Sequence, residues 1–68
     1  MQNAEMTVNG KNVTYEALSL LEYLRREGYE PGHVVVERNM EIITRERFCE
    51  VMLSADDKIN ILRFMGGG

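Results

Sequence analysis

The chain has 68 residues, 44% of them hydrophobic and 28% charged, which makes a single domain near the size at which a core holds without staples and excludes a disordered or fibrous protein. Eleven acidic residues against eight basic ones give a formal charge of −3, which argues against a phosphate-tracking nucleic-acid binder and a membrane-surface helix. The lone Cys49 cannot form an internal disulfide, no apolar run approaches the roughly 20 residues of a membrane span, and Met1-Gln2-Asn3-Ala4-Glu5 has no basic region followed by an apolar one. A cytoplasmic protein with no nucleic-acid or membrane partner is therefore expected.

The first element is a hairpin. Asn9-Gly10 lies between two short alternating runs, and both residues tolerate the positive φ of a two-residue turn. This sets Val8 opposite Lys11, Met6 opposite Val13 and Ala4 opposite Tyr15, with Met6, Val8, Val13 and Tyr15 on the buried face. A helix follows. Ser19 and Glu22 have the spacing of a capping box, Leu18 and Tyr23 that of a hydrophobic staple, and Gly28 suits the position just past the end. Leu20, Leu21 and Leu24 form the core stripe, and Glu22 and Arg26 are placed for an i,i+4 pair.

Glu30-Pro31-Gly32 predicts a turn. His33 to Glu37, with three consecutive valines, predicts a strand apolar on both faces, and Arg38-Asn39-Met40 reverses it into Glu41-Ile42-Ile43. Thr44 is placed to cap one helical turn over Arg45-Glu46-Arg47-Phe48, with Phe48 inward. Val51 and Leu53 alternate around Met52, and Asp56-Asp57 predicts a turn rather than an acid–base pair.

The last stretch, Lys58 to Met65, reads as a strand that runs directly into Gly66-Gly67-Gly68. Ile59 and Ile61 fall on the buried face. Leu62 and Phe64 fall on the opposite one, either as a partner surface or as ordinary half-buried strand residues. Three glycines at the end are either a retained functional tail or a frayed terminus or leftover linker. Arg38, Arg45, Arg47 and Arg63 are read as solvated charges, with a ring of cations around the tail as the alternative. His33 and Cys49 supply at most two ligands, too few for a structural zinc site, and Cys49 is read as a plain thiol.

The order hairpin, helix, strand pair, short helical turn, strand predicts an α+β fold: one helix across one face of a mixed four- or five-stranded sheet, with the last strand parallel to the first. That is the β-grasp arrangement.

Val8-Asn9-Gly10, the helix from Ser19-Leu20-Leu21 to Leu24, the run Val34-Val35-Val36-Glu37-Arg38-Asn39 through Ile42-Ile43, Arg45-Glu46-Arg47-Phe48, and Ile59-Asn60-Ile61 through Phe64-Met65-Gly66-Gly67-Gly68 together resemble the ThiS family, ubiquitin-like sulfur carriers of bacterial thiazole biosynthesis. The resemblance implies a single domain over 1–68 with 65–68 as a flexible tail. It also implies adenylation of the Gly68 carboxylate by a ThiF-type enzyme that uses ATP, conversion to a thiocarboxylate, and sulfur delivery to a ThiG-type thiazole synthase. Such a protein is a co-substrate, not an enzyme, and binds no cofactor itself.

The tail chemistry is consistent with elementary reactivity. A terminal carboxylate with a pKa of about 3.5 is an anion at neutral pH and a poor electrophile, so another enzyme must activate it. Residues without Cβ pass through a narrow slot, which gives Gly66 and Gly67 the role of a thread, and leaves Leu62, Phe64 and Met65 as the grip for a partner. Two other readings remain open: delivery to a different acceptor (molybdopterin, an amino acid, or lysines in a ubiquitin-like conjugation), and an interaction module with an inert tail.

Overall fold

The computed structural model describes residues 4–64; Met65, Gly66, Gly67 and Gly68, with the tail and part of the grip assigned to them, lie outside the described residues. The chain runs β1 (Glu5–Val8), β2 (Lys11–Thr14), α1 (Leu20–Arg26), a 3-10 turn (Pro31–His33), β3 (Val34–Arg38), β4 (Glu41–Ile43), a second 3-10 turn (Arg45–Arg47) and β5 (Lys58–Arg63). The five strands form one sheet in the order β2-β1-β5-β3-β4. β5 is parallel to β1 and antiparallel to β3, as the crossover through the helix requires.

The first hairpin has the expected register, with Met6 opposite Val13 and Val8 opposite Lys11, and Tyr15 N–H donates to the Ala4 carbonyl at 3.0 Å. Asn9 and Gly10 take φ of 52° and 83°, the twist that matches right-handed strands. α1 starts on the predicted capping box: Glu22 N–H donates to Ser19 Oγ at 3.1 Å, and Ser19 N–H donates to Glu22 Oε1 at 2.9 Å. It ends in a Schellman motif. Tyr29 N–H reaches the Leu24 carbonyl at 2.8 Å and Gly28 N–H the Arg25 carbonyl at 3.1 Å, with Gly28 at φ 84°, where a Cβ would be strained.

The core lies between α1 and one face of the sheet. Met6, Val8, Val34, Val36, Ile43, Ile59 and Ile61 meet Leu20, Tyr23 and Leu24, and Phe48, Val51 and Leu53 close the end. The last three belong to an irregular segment. It is tied to the start of α1 by Leu20 N–H to the Val51 carbonyl and Leu53 N–H to the Leu18 carbonyl, at 2.8 and 2.9 Å. Burial of Tyr23, with the Glu27 carboxylate and Tyr29 near it, pushes its phenol up.

Four local expectations change. Glu22 does not pair with Arg26, because its carboxylate is committed to the cap; Arg26 pairs with Glu16 and Glu27 instead. Thr44 makes no side-chain cap. His33 belongs to the Pro31–His33 turn rather than the strand, its N–H donating to the Glu30 carbonyl at 2.8 Å. The assigned strand β5 stops at Arg63, although Phe64 N–H still donates to the His33 carbonyl at 3.0 Å.

Candidate functional site

The element that leads toward the glycines is β5, and the fold holds it from both sides. β3 pairs with it along five residues, from Val34 opposite Arg63 to Arg38 opposite Ile59. On its other side β1 pairs only through Thr7 and Val8, so the ladder there would leave β5 backbone groups without partners. Asn9 supplies them from the first hairpin turn: its N–H donates to the Ile59 carbonyl at 2.9 Å and its Oδ1 accepts from Ile61 N–H at 2.7 Å. Asn39, in the second hairpin turn, repeats the device at the start of β5. Its N–H donates to the Lys58 carbonyl at 2.8 Å, and its Oδ1 accepts from Lys58 N–H at 2.9 Å. Both asparagines therefore serve as turn formers and as side-chain extensions of a neighbouring strand.

Asp57 anchors the same strand at its base. It is 4% exposed and accepts from Ser54 N–H at 2.8 Å, Arg38 Nε at 3.0 Å and Asn39 Nδ2 at 3.0 Å. Burial raises its carboxyl, but the Ser54, Asn39 and Arg38 donors and the Arg38 charge outweigh it, so the net shift is below the ordinary carboxylate value. The sequence reading placed this residue in a turn and missed its role. The signal lay in the pairing of Asp57 with Asn39, which only the fold brings together.

At the other end of β5 the strand leaves the core. Leu62 is 66% exposed and Phe64 46%, on the sheet face that α1 does not cover. Val35 stands opposite Leu62 in the register and Ile42 opposite Glu37 on the same face, and both are exposed. The two named grip residues therefore continue into an apolar strip across β5, β3 and β4. Phe64 packs edge-on to His33 with ring centroids 6.4 Å apart, and the Arg63 guanidinium lies 4.5 Å from the centre of the Tyr29 ring. These contacts tie the last described residues to the loop that follows α1.

The arginines divide. Arg47 is exposed, in an i,i+3 pair with Glu50 at 3.6 Å, as a solvated charge should be. Arg38 is not: it is the partner of buried Asp57. Arg63 stacks on Tyr29, and Arg45 lies over Gly32, where a Cβ would come within 3.2 Å of its Nη1. Cys49 is exposed, while its neighbour Phe48 is buried in the core as expected.

A mixed sheet gripping one helix, with a central strand that leads to the chain's glycines beside an uncovered apolar face, defines a β-grasp domain of the ubiquitin-like kind. Comparison with known proteins makes the class specific. The ThiS family model matches residues 3–68, and the chain belongs to that family. It is 40% identical over 65 residues to the sulfur carrier protein ThiS of Bacillus subtilis, covering 93% of this chain and 98% of that protein. The crystal structure of the thiamine biosynthesis protein ThiS from Geobacter metallireducens superposes with a TM-score of 0.78 at 37% identity, over 94% of this chain and 99% of that one. The chain is also 34% and 39% identical to thiazole synthases of Paramagnetospirillum magneticum and Magnetococcus marinus, but it spans only 20% and 19% of their lengths.

Proposed function

We propose that the protein is a sulfur carrier for thiazole formation in thiamine biosynthesis, with the Gly68 carboxylate as the sulfur-bearing group. The carboxylate attacks the α-phosphorus of ATP in a ThiF-type adenylating enzyme, pyrophosphate leaves, and a sulfur nucleophile at the oxidation level of sulfide displaces AMP from the acyl adenylate. The resulting thiocarboxylate passes its sulfur to a ThiG-type thiazole synthase. The protein is the co-substrate in these steps. The activating enzyme's use of ATP fits a cytoplasmic setting.

The observation that carries this reading is the doubly held β5, which aims the chain at its glycines next to exposed Leu62 and Phe64. A strand fixed by both neighbours delivers a short tail at a defined place, and two or three extended residues reach about 7–10 Å beyond the body. In this reading Gly66 and Gly67 thread the partner's active site, and Leu62, Phe64 and Met65 are the grip. The family match through Gly68, and the presence of a similar stretch within two thiazole synthases, support the choice of acceptor.

Intact-mass measurement of the protein isolated from cells that supply the activating enzyme tests it. Exchange of one oxygen for sulfur, localised to the Gly68 peptide, is the expected result. An unmodified mass under sulfur-replete conditions refutes it.

A further inference from the structure

The chain has six arginines and a net negative charge, and their pairing is uneven. Arg26, Arg38 and Arg47 each have an acidic partner. Among the described residues Arg25, Arg45 and Arg63 have none, and all three are exposed. These three line two adjoining grooves. One is formed by Arg25, Arg45 and residues 28–32 of the loop; the other, which shares Gly28 and Glu30 with it, is formed by His33, Val34, Arg63 and Phe64 at the end of β5. A cationic channel thus begins beside the last described residue of the tail-bearing strand and crosses the loop to Arg45.

Two features keep the cations available. Gly32 has no Cβ, so the Arg45 guanidinium can approach the loop closely there, and stacking on Tyr29 fixes Arg63 without neutralising it. Glu30 is the one acidic residue in the lining, so the channel carries a positive excess on an acidic protein. Unpaired guanidiniums in a shallow groove match the planar, bidentate geometry of carboxylates.

We propose that this channel is the docking surface for a carboxylate-rich segment of the protein that takes the tail, with Arg25, Arg45 and Arg63 as its cationic contacts. The inference rests on the carrier reading for the partner's identity, but not for the recognition chemistry. The apolar strip and the channel meet at Phe64, so one partner grips the outer face of the sheet while its acidic segment follows the loop. Such charges steer encounter and set orientation more than they set affinity.

The test has two arms. In the first, the amide and arginine side-chain resonances of the isotope-labelled protein are followed during titration with an acetylated hexaglutamate peptide at low salt. Shifts confined to Arg25, Gly28, Tyr29, Gly32, Arg45 and Arg63, lost in the folded R25E/R45E variant and weakened in Gly32→Ala, support the channel. Equal shifts at Arg26 and Arg47, an unchanged response of R25E/R45E, or the same shifts from inorganic phosphate overturn it. In the second arm the adenylating enzyme is assayed with the R25E/R45E protein. KM rises on the order of tenfold with kcat unchanged, since two exposed pairs are lost and turned repulsive, and unchanged KM counts against the proposal. If wild-type protein is never thiolated, the carrier reading fails, while the peptide titration still decides the channel.

Discussion

Replacing Asp57 with asparagine removes the anion at the base of β5 and keeps the shape of the side chain. Three donors converge on this carboxylate, from Ser54 N–H, Arg38 Nε and Asn39 Nδ2, at 2.8 to 3.0 Å. An asparagine oxygen retains one or two of these contacts, but its NH2 group then faces a donor. Hydrogen bonds to a charged group contribute about 1.5–3 kcal/mol each. They do not add in full here, because the Arg38 side chain is 26% exposed and regains water. The expected loss is therefore about 2–3 kcal/mol, a fall in Tm of roughly 10–20 °C for a domain of this size. Paired thermal and urea unfolding of the two proteins at neutral pH measures it. A loss below about 0.5 kcal/mol, the range of ordinary surface changes, would refute the assignment of Asp57 as an anchor.

The same carboxylate gives a pH signature with a defined sign. Its folded pKa is lowered from 3.8, so the folded state favours the anion. The stabilisation is present in full above the unfolded value and is lost as pH falls through the lower folded value. The gap in stability between wild type and Asp57→Asn is accordingly flat from neutral pH down to the ordinary carboxylate range and closes only below it. A gap that closes around pH 6 would point to a different group.

Met40 sits at φ 71° and is 91% exposed, so Met40→Gly relieves left-handed strain at no packing cost; a net gain of about 0.5–1 kcal/mol is expected by thermal unfolding. Asn9→Gly keeps a turn residue but leaves Ile61 N–H without its side-chain acceptor, and costs about 1–2 kcal/mol, with faster hydrogen exchange at Ile61 as the local readout. Leu62→Lys leaves the unfolding free energy within about 0.5 kcal/mol of wild type, because the side chain is largely exposed. It should weaken binding to the adenylating enzyme or thiazole synthase about 5- to 30-fold, the effect of losing roughly 1–2 kcal/mol of apolar contact; titration calorimetry decides.

Periodicity and turn chemistry carried most of the fold. Asn9-Gly10 set the first hairpin to the residue, and Ser19 with Glu22 marked the start of α1, because both signals are local and steric. Alternation alone put Leu62 and Phe64 on the face opposite the core, but whether anything covers that face was settled only by the fold. What was hidden depends on sequence separation. Asp57 meets Arg38 and Asn39 across 19 and 18 residues, and Asn9 meets Ile61 across 52, so no window of the chain contains both partners. The fate of Glu22 is the opposite case: two local rules competed for one carboxylate, and the cap prevailed over the i,i+4 pair with Arg26. The division of the arginines was equally out of reach, since it depends on which carboxylates the fold brings near.

The placement of β5 explains why the anchoring residues belong to the hairpin turns. In the proposed function β5 presents the tail to partner enzymes, and an edge strand held on one side would be the easiest to peel away. β5 lies in the middle of the sheet, yet β1 is too short to cover it. Asn9 makes up the difference on the β1 side, Asn39 extends the β3 side to Lys58, and Asp57 binds the Asn39 side chain in turn. Because side chains alternate with a period of two, a one-residue slip of β5 would turn Ile59 and Ile61 to solvent and Leu62 into the core. The two asparagines, each bonded to a particular backbone group of β5, resist that slip. They therefore keep Leu62 and Phe64 on the outer face.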